Sequence, residues 1–281
     1  MAKLKIISFA IITTALTGCA ATPRQYDDES SRALNLARAG GIYDQSLRDS
    51  QDGTRSYRNS LLMNALNLAS LATSLDAPLR HLSGTQTLLF NATDIMMTPD
   101  NPSARPSLIG WMPESLAANE DEAYDRYVAI VDKAIVQAAE SMAISATKMT
   151  GVRTPEVEGH SLILWSVTAE QYGCSDSNCI IAYNIQQPHY WKTPDYIVGG
   201  SPNSYNITAN HPKNYSRLVF RQSGQETLLP TGLLYEALSN AMPPWMVMYF
   251  PPNTVIRDSE LVSYPVLYEQ GNQLTFKEPQ S

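Results

Sequence analysis

Few side chains in this 281-residue chain stand at spacings that chemistry requires. Ser145-Ala-Thr-Lys148 places a lysine three residues after a serine, where an amine can act as base to a hydroxyl nucleophile one helical turn away. That serine falls near the end of a helical stretch instead of opening one. The companions such serine enzymes carry, a Ser-x-Asn triplet and a Lys-Thr-Gly strand, are missing, since Lys192-Thr193 runs into Pro194. Gly159-His160-Ser161 lacks the second glycine of a nucleophile elbow. His81, His160, His189 and His211 are scattered, without the pairings that build a zinc site, and read as solvated or structural. Gly199-Gly200-Ser201 has no following lysine or helix to cradle a phosphate. No catalytic set, metal or cofactor is expected.

The first of the three cysteines carries a clearer chemical signal, near the start of the chain. Lys3 and Lys5 precede an apolar run from Ile6 to Leu16. About eleven residues make roughly 16 Å of helix, short of the ~30 Å hydrocarbon core, so the run is an export signal and not a span. It ends in Leu16-Thr17-Gly18-Cys19, which resembles the lipobox of bacterial lipoproteins: a branched apolar residue, two small residues that let a peptidase reach the backbone, then a thiol that accepts diacylglycerol. The resemblance implies cleavage before Cys19, lipidation of Cys19, and, with Ala20 and no Asp after it, an outer-membrane destination facing the periplasm. Several acyl chains at ~0.8 kcal/mol per buried methylene would hold such a chain permanently. It covers these residues alone and says nothing of the mature domain.

Removing the first eighteen residues takes Lys+Arg from 20 to 18 against 27 acidic residues, and the formal charge from −7 to −9. That balance disfavours nucleic acid and anionic headgroups as partners. No second apolar stretch reaches eighteen residues, so the remainder is expected to be soluble. Cys174 and Cys179 are the only cysteines left. Their spacing fits neither a two-residue redox motif nor a four-cysteine zinc site, and export to an oxidising compartment makes them a disulfide.

Fifteen tyrosines make Tyr the leading aromatic. Tyr190-Trp191, Tyr196, Tyr205 and Tyr215 fall in loop-rich sequence, where large rigid side chains with polar tips favour binding surfaces. The most hydrophobic mature stretch is Trp245-Met246-Val247-Met248-Tyr249-Phe250, bracketed by Pro243-Pro244 and Pro251-Pro252. Prolines at both ends cannot pair in a central strand, which points to an edge strand or a docking segment; weighed together, a core strand covered by the helix over 231–241 is the first reading and an exposed protein-binding strip the second. Trp245, Met246, Met248, Tyr249, Phe250, Tyr190 and Trp191 are therefore the candidate protein-binding residues.

The elements that must position these groups can be read from periodicity. Residues 19–30 read as a lipidated tether. Ser30 and Ser31 cap a short helix carrying Leu34 and Ala37, ended by Gly40-Gly41; a weaker helical stretch covers Tyr43 to Arg48. Helices are expected over Thr54–Leu75, with a stripe at Leu61, Ala65, Leu68, Ala72 and Leu75, and over Gln86–Met97. Prolines make 98–113 an extended connection. A long helix is expected from Glu120 to Met149, with Glu120, Asp121 and Glu122 complementing the dipole and Lys148 in its last turn. Strands are expected over Leu162–Thr168 and Cys179–Ile185, closing a hairpin through the two cysteines, then over Arg217–Arg221, Met246–Phe250, Leu261–Tyr268 and Gln273–Phe276. Residues 186–214 read as a linker, and Thr231–Ala241 as a helix.

The fold class expected is α+β: a helical region (31–150) followed by a mixed, mainly antiparallel region (151–281). The function expected is that of a lipid-anchored envelope subunit of a secretion, conjugation or pilus-type complex, working through protein–protein contacts and without enzymatic activity. A cell-wall or polysaccharide-active enzyme using dispersed carboxylates, or a periplasmic small-ligand binder, are the alternatives.

Overall fold

The structure is a computed structural model that describes residues 25–279 apart from 46, 54–100, 151–155, 158–159, 176–177, 211–214 and 223–226. Cys19, His81, His211 and the helices expected over 54–75 and 86–97 lie outside the described residues. The described part is α+β. Its helices are α1 (Arg32–Ala39), α2 (Glu120–Ser141) and α3 (Thr231–Ala241). Its strands in chain order are β1 (Ser107–Pro113), β2 (Ser145–Lys148), β3 (Glu156–Val157), β4 (His160–Ser161), β5 (Ile163–Thr168), β6 (Cys179–Asn184) and β7 (His189–Lys192). They continue with β8 (Asn203–Ile207), β9 (Arg217–Gln222), β10 (Met246–Phe250), β11 (Ile256–Arg257), β12 (Glu260–Leu261), β13 (Val266–Glu269) and β14 (Asn272–Thr275). A six-stranded sheet runs in the order β14-β13-β10-β1-β8-β7 and a four-stranded sheet in the order β2-β5-β6-β9, every pairing antiparallel.

Residues 107–113, expected as an extended connection, form the strand β1 inside the six-stranded sheet, between β8 and β10. Pro106 and Pro113 bracket the strand instead of breaking it, and Leu108, Ile109, Trp111 and Met112 are buried on both faces, so the pattern is a continuous apolar run and not an alternation. This strand also corrects the expected division at residue 150, because it pairs with partners from beyond that position. One continuous core cluster takes in α1, α2, β1 and the C-terminal strands.

Gly110 decides how α2 sits on the sheet. A Cβ there would meet the Tyr127 ring at 2.8 Å, so only glycine lets the helix approach this closely. The Tyr127 hydroxyl then reaches the backbone, accepting from the Met112 amide (3.0 Å) and donating to the Tyr205 carbonyl (2.7 Å). Asn119 caps α2 by accepting from the Glu122 amide at 2.9 Å, while the Glu122 carboxylate accepts from the Ala118 amide at 2.8 Å. These contacts satisfy amides that a helix start leaves orphaned.

The helix stops eight residues earlier than expected. Ala143 adopts φ 54°, and the Ile144 and Ala143 amides bond back to the Ala139 and Glu140 carbonyls at 3.0 and 3.1 Å, the paired bonds of a Schellman C-cap. The apolar period carries on through Ala146, but Ser145–Lys148 turns back as β2 and pairs with β5. Lys148 consequently sits on a strand, not in a last helical turn. Residues 43–48 hold no helix among the described positions, and residues 25–30, expected as tether, are fastened to the domain: the Asp27 amide donates to Asn35 (2.9 Å), Ser30 to Asp27 (2.6 Å), and Tyr26 packs edge-on against Tyr196 at 5.1 Å.

Candidate functional site

Cys174 and Cys179 are joined by a disulfide, their Cα atoms 5.4 Å apart, at the turn between β5 and β6. The bridge closes a hairpin whose strands pair on register from Ile163 opposite Tyr183 to Ser166 opposite Ile180. It is structural: no other cysteine is among the described residues.

The strip Trp245–Phe250 is core. Trp245, Met246, Met248, Tyr249 and Phe250 are all at or below 5% exposure, and β10 lies between β1 and β13, three strands in from one edge. The flanking prolines fall outside Met246–Phe250 and remove no ladder hydrogen bond, so the objection to an interior strand does not apply. Phe250 stacks on Tyr235 of α3 at 3.9 Å, Trp245 meets Tyr127 edge-on at 5.6 Å, and the Tyr249 hydroxyl donates to the Ser103 carbonyl at 2.7 Å. These five side chains present no docking surface.

Tyr190 and Trp191 have the opposite placement. They sit on β7, the outer strand of the six-stranded sheet, 46% and 50% exposed. The Thr193 amide bonds to Pro202 of the neighbouring strand's approach, so Tyr190 and Lys192 turn their backbone groups outward. Alternation puts the two rings on opposite faces of the edge. Tyr190 lies over its cross-strand neighbour Tyr205, at 5.4 Å between ring centroids, on the α2 side; Trp191 shares its face with Ser204, Asn206 and Trp111, the side of α1.

Carboxylates from two other elements meet this edge. The Tyr190 hydroxyl donates to Glu114, which follows β1, and the Tyr190 amide donates to Glu120, at the start of α2, at 3.2 Å. Gln187 donates to Asp121 at 3.0 Å. The proton that Glu114 accepts is held by the phenol more tightly than usual, so the Tyr190 pKa is raised. The Glu122 carboxyl titrates below its ordinary value because the Ala118 amide and then Arg126 stabilise its charge. Glu120 fills one outward amide and Lys192 places a charge on the edge, two devices that discourage unregistered strand pairing. What remains is an outer strand with an exposed ring on each face, that of Tyr190 rimmed by acids, a surface able to hold a cationic or apolar side chain of another protein.

Other candidates resolve into structure. Lys148 pairs with Asp132 at 2.6 Å, and the other Asp132 oxygen accepts from Tyr183 (2.6 Å) and Trp165 (3.1 Å). With Ser145 on β2, this network ties α2 to the four-stranded sheet and presents no activated hydroxyl; burial, then the Asp132 contact, pushes the Tyr183 pKa far up. Arg105 is fully buried, 3.6 Å over the Tyr215 ring, and donates to the Ala209 carbonyl at 2.7 Å. Buried Arg217 donates to Asn184 at 3.0 Å, and burial lowers its pKa. Among the described residues no group of three or more His, Cys, Asp or Glu is placed to hold a metal ion, and no helix is long and apolar enough to cross a membrane. His189 is exposed on β7, and His160 lies on β4.

Sequence reasoning named Tyr190 and Trp191 but placed them in a linker. The strands β7 and β8 lack an apolar alternation: His-Tyr-Trp-Lys is exposed throughout, and Asn-Ser-Tyr-Asn-Ile is largely buried although polar. The carboxylate rim was signalled only as the acidic first turn of α2. The fold and this edge define an α+β protein with an aromatic, acid-rimmed outer strand. Comparison finds no family model, no characterised protein and no solved structure that matches the chain.

Proposed function

We propose that this chain is an outer-membrane lipoprotein facing the periplasm that serves as a structural or assembly subunit of an envelope complex of secretion, conjugation or pilus type, binding other proteins through β7. The observation that carries the reading is the outer strand β7, which presents half-exposed Tyr190, bordered by Glu114 and Glu120, on one face and half-exposed Trp191 on the other. Solitary exposed aromatics are ordinary, but adjacent exposed aromatics on the two faces of one outer strand supply the residue types enriched at interfaces.

The lipobox-like Leu16-Thr17-Gly18-Cys19 supports the tether, and geometry then restricts where the surface lies. Seven residues separate Cys19 from Tyr26, at most about 25 Å when extended, and Tyr26 packs on Tyr196 in the segment joining β7 to β8. An anchored chain thus holds the β7 end close to the lipid, while the formal charge of −9 left after cleavage disfavours contact with anionic headgroups. The partner is accordingly a protein at the inner surface of the membrane.

Two variants test this. Cys19→Ser should move the chain from the membrane fraction to the soluble fraction; unchanged fractionation contradicts the anchor. Tyr190→Ala with Trp191→Ala should release the chain from detergent-extracted complexes during velocity sedimentation while its thermal midpoint stays within a degree or two. A double variant that sediments like the parent contradicts docking through β7.

A further inference from the structure

The free edge of β7 can be followed residue by residue. The Thr193 amide bonds to the Pro202 carbonyl, and Trp191 and His189 stand opposite Ser204 and Asn206. Alternation along an antiparallel ladder turns the backbone groups of Trp191 and His189 toward β8 and leaves those of Tyr190 and Lys192 on the open side. Of these, the Tyr190 amide donates to Glu120 at 3.2 Å. The Lys192 ammonium makes no ion pair among the described residues. The edge therefore carries an unpaired cation and, two residues away on the same face, a half-exposed phenol held by the carboxylates of Glu114 and Glu120. Turned end for end, that pattern is complementary to itself.

We propose that the partner held at β7 is a second copy of this chain, its β7 antiparallel to the first about a twofold axis at Trp191. This rests on the reading of β7 as the docking surface and names what docks there. Tyr190 and the partner's Lys192 then form a hydrogen-bonded pair, as do Lys192 and the partner's Tyr190, each exchanging two backbone bonds. The partner's Lys192 crosses the Tyr190 ring and its ammonium takes the Glu120 carboxylate, which frees the Tyr190 amide for the partner's Lys192 carbonyl. On the other face the two Trp191 side chains meet across the axis, in the closer, non-hydrogen-bonded kind of pair. Charge selects the register. Sliding one copy by two residues opposes Lys192 to the partner's Lys192 in one direction, and Tyr190 with its acids to the same groups in the other. Like charges opposed across strands are destabilising.

The tether agrees with this arrangement. A twofold axis between antiparallel strands of one sheet is normal to the sheet and keeps each face on its own side. Gly40, at the end of α1, packs on the side chain of Ile109, which by alternation shares the face of Trp111 and Trp191. The α1 helices of both copies thus lie on one side, and two lipidated Cys19 residues can serve one membrane.

Sedimentation equilibrium of the full mature chain over a hundredfold range of concentration should show monomers in exchange with dimers. Lys192→Glu and Glu120→Lys should each weaken the dimer at least tenfold. Both changes in one chain should restore it to within threefold of the parent, a rescue that requires the partner to be a copy carrying the same exchange. Trp191→Cys supplies a second test should Glu120→Lys fail to fold. Non-hydrogen-bonded Cα atoms stand about 4.5 Å apart, within disulfide reach, so mild oxidation should link two Trp191→Cys chains and should not link Val136→Cys chains, altered at an exposed position on α2. A chain that stays monomeric, a combined variant no tighter than the single ones, or equal crosslinking from both cysteine variants overturns self-pairing. If Tyr190→Ala with Trp191→Ala still leaves the envelope complex after such a result, β7 docks a different protein and only the second copy is refuted.

Discussion

Ala143 holds a left-handed conformation, φ 54°, that an L-residue with a Cβ adopts at a cost of about 1–2 kcal/mol. Glycine removes that penalty but adds chain entropy to the unfolded state. The balance at a C-cap favours glycine, so Ala143→Gly should raise the urea midpoint by roughly 1 kcal/mol of stability, and Ala143→Val should lower it. A lower midpoint for the glycine variant would show that the cap is not formed. The same position explains the overlong helix read from the sequence: without glycine or proline at 142–144, no residue advertises the stop, and the cap geometry is fixed by the pairing of β2 with β5. Tyr127 poses a complementary test. Tyr127→Phe deprives the Met112 amide of its acceptor and the Tyr205 carbonyl of its donor, both in the core, and should destabilise by about 1–3 kcal/mol in chemical denaturation.

At the scale of elements, most helix and strand assignments followed from patterns that local physics dictates. Thr231–Ala241 and Met246–Phe250 lie where periodicity and bracketing prolines put them, and α1 starts after Ser31, whose hydroxyl accepts the Leu34 amide at 3.0 Å. Failures share a cause: β1, β7 and β8 owe their conformation to partners distant in sequence. Leu108 and Met248 are opposite each other across 140 positions, and nothing near residue 108 discloses that pairing. The candidate site was half legible for this reason. Its aromatic residues could be named, whereas the strand that displays them and the acids that border it depend on tertiary pairing. Trp245→Ala should remove about 3–5 kcal/mol of stability, as core truncations do, whereas Trp191→Ala on the outer strand should change it by less than about 0.5 kcal/mol. Equal effects by thermal or urea unfolding would refute the division between core strand and binding strand. The disulfide belongs to this scale too. It closes a short loop, so replacing Cys174 and Cys179 by alanine should cost about 2 kcal/mol, the low end for such bridges.

For the whole molecule, buried phenols set the behaviour in alkali. Burial pushes the Tyr235 pKa up to about 12 and raises those of Tyr127, Tyr183 and Tyr268 further. In the unfolded chain these groups lose protons near pH 10. Above that value the folded state binds more protons than the unfolded one, so stability present at neutral pH falls as pH rises. Phenolate absorbance should consequently have a late component from the buried set, coincident with loss of secondary structure. A single phase at pH 10 with the fold intact would contradict the buried placement.

One core joins the six-stranded sheet, the helices and the inner face of the four-stranded sheet, and β7 stands at its outer margin as the surface through which we propose the chain meets other proteins. A photoreactive amino acid at position 191, irradiated in intact envelopes of the native host, interrogates that surface directly. The account predicts a discrete intermolecular adduct from position 191 and none from position 136, another exposed site, on α2. Adducts of equal yield from both positions, or none from 191, would contradict it.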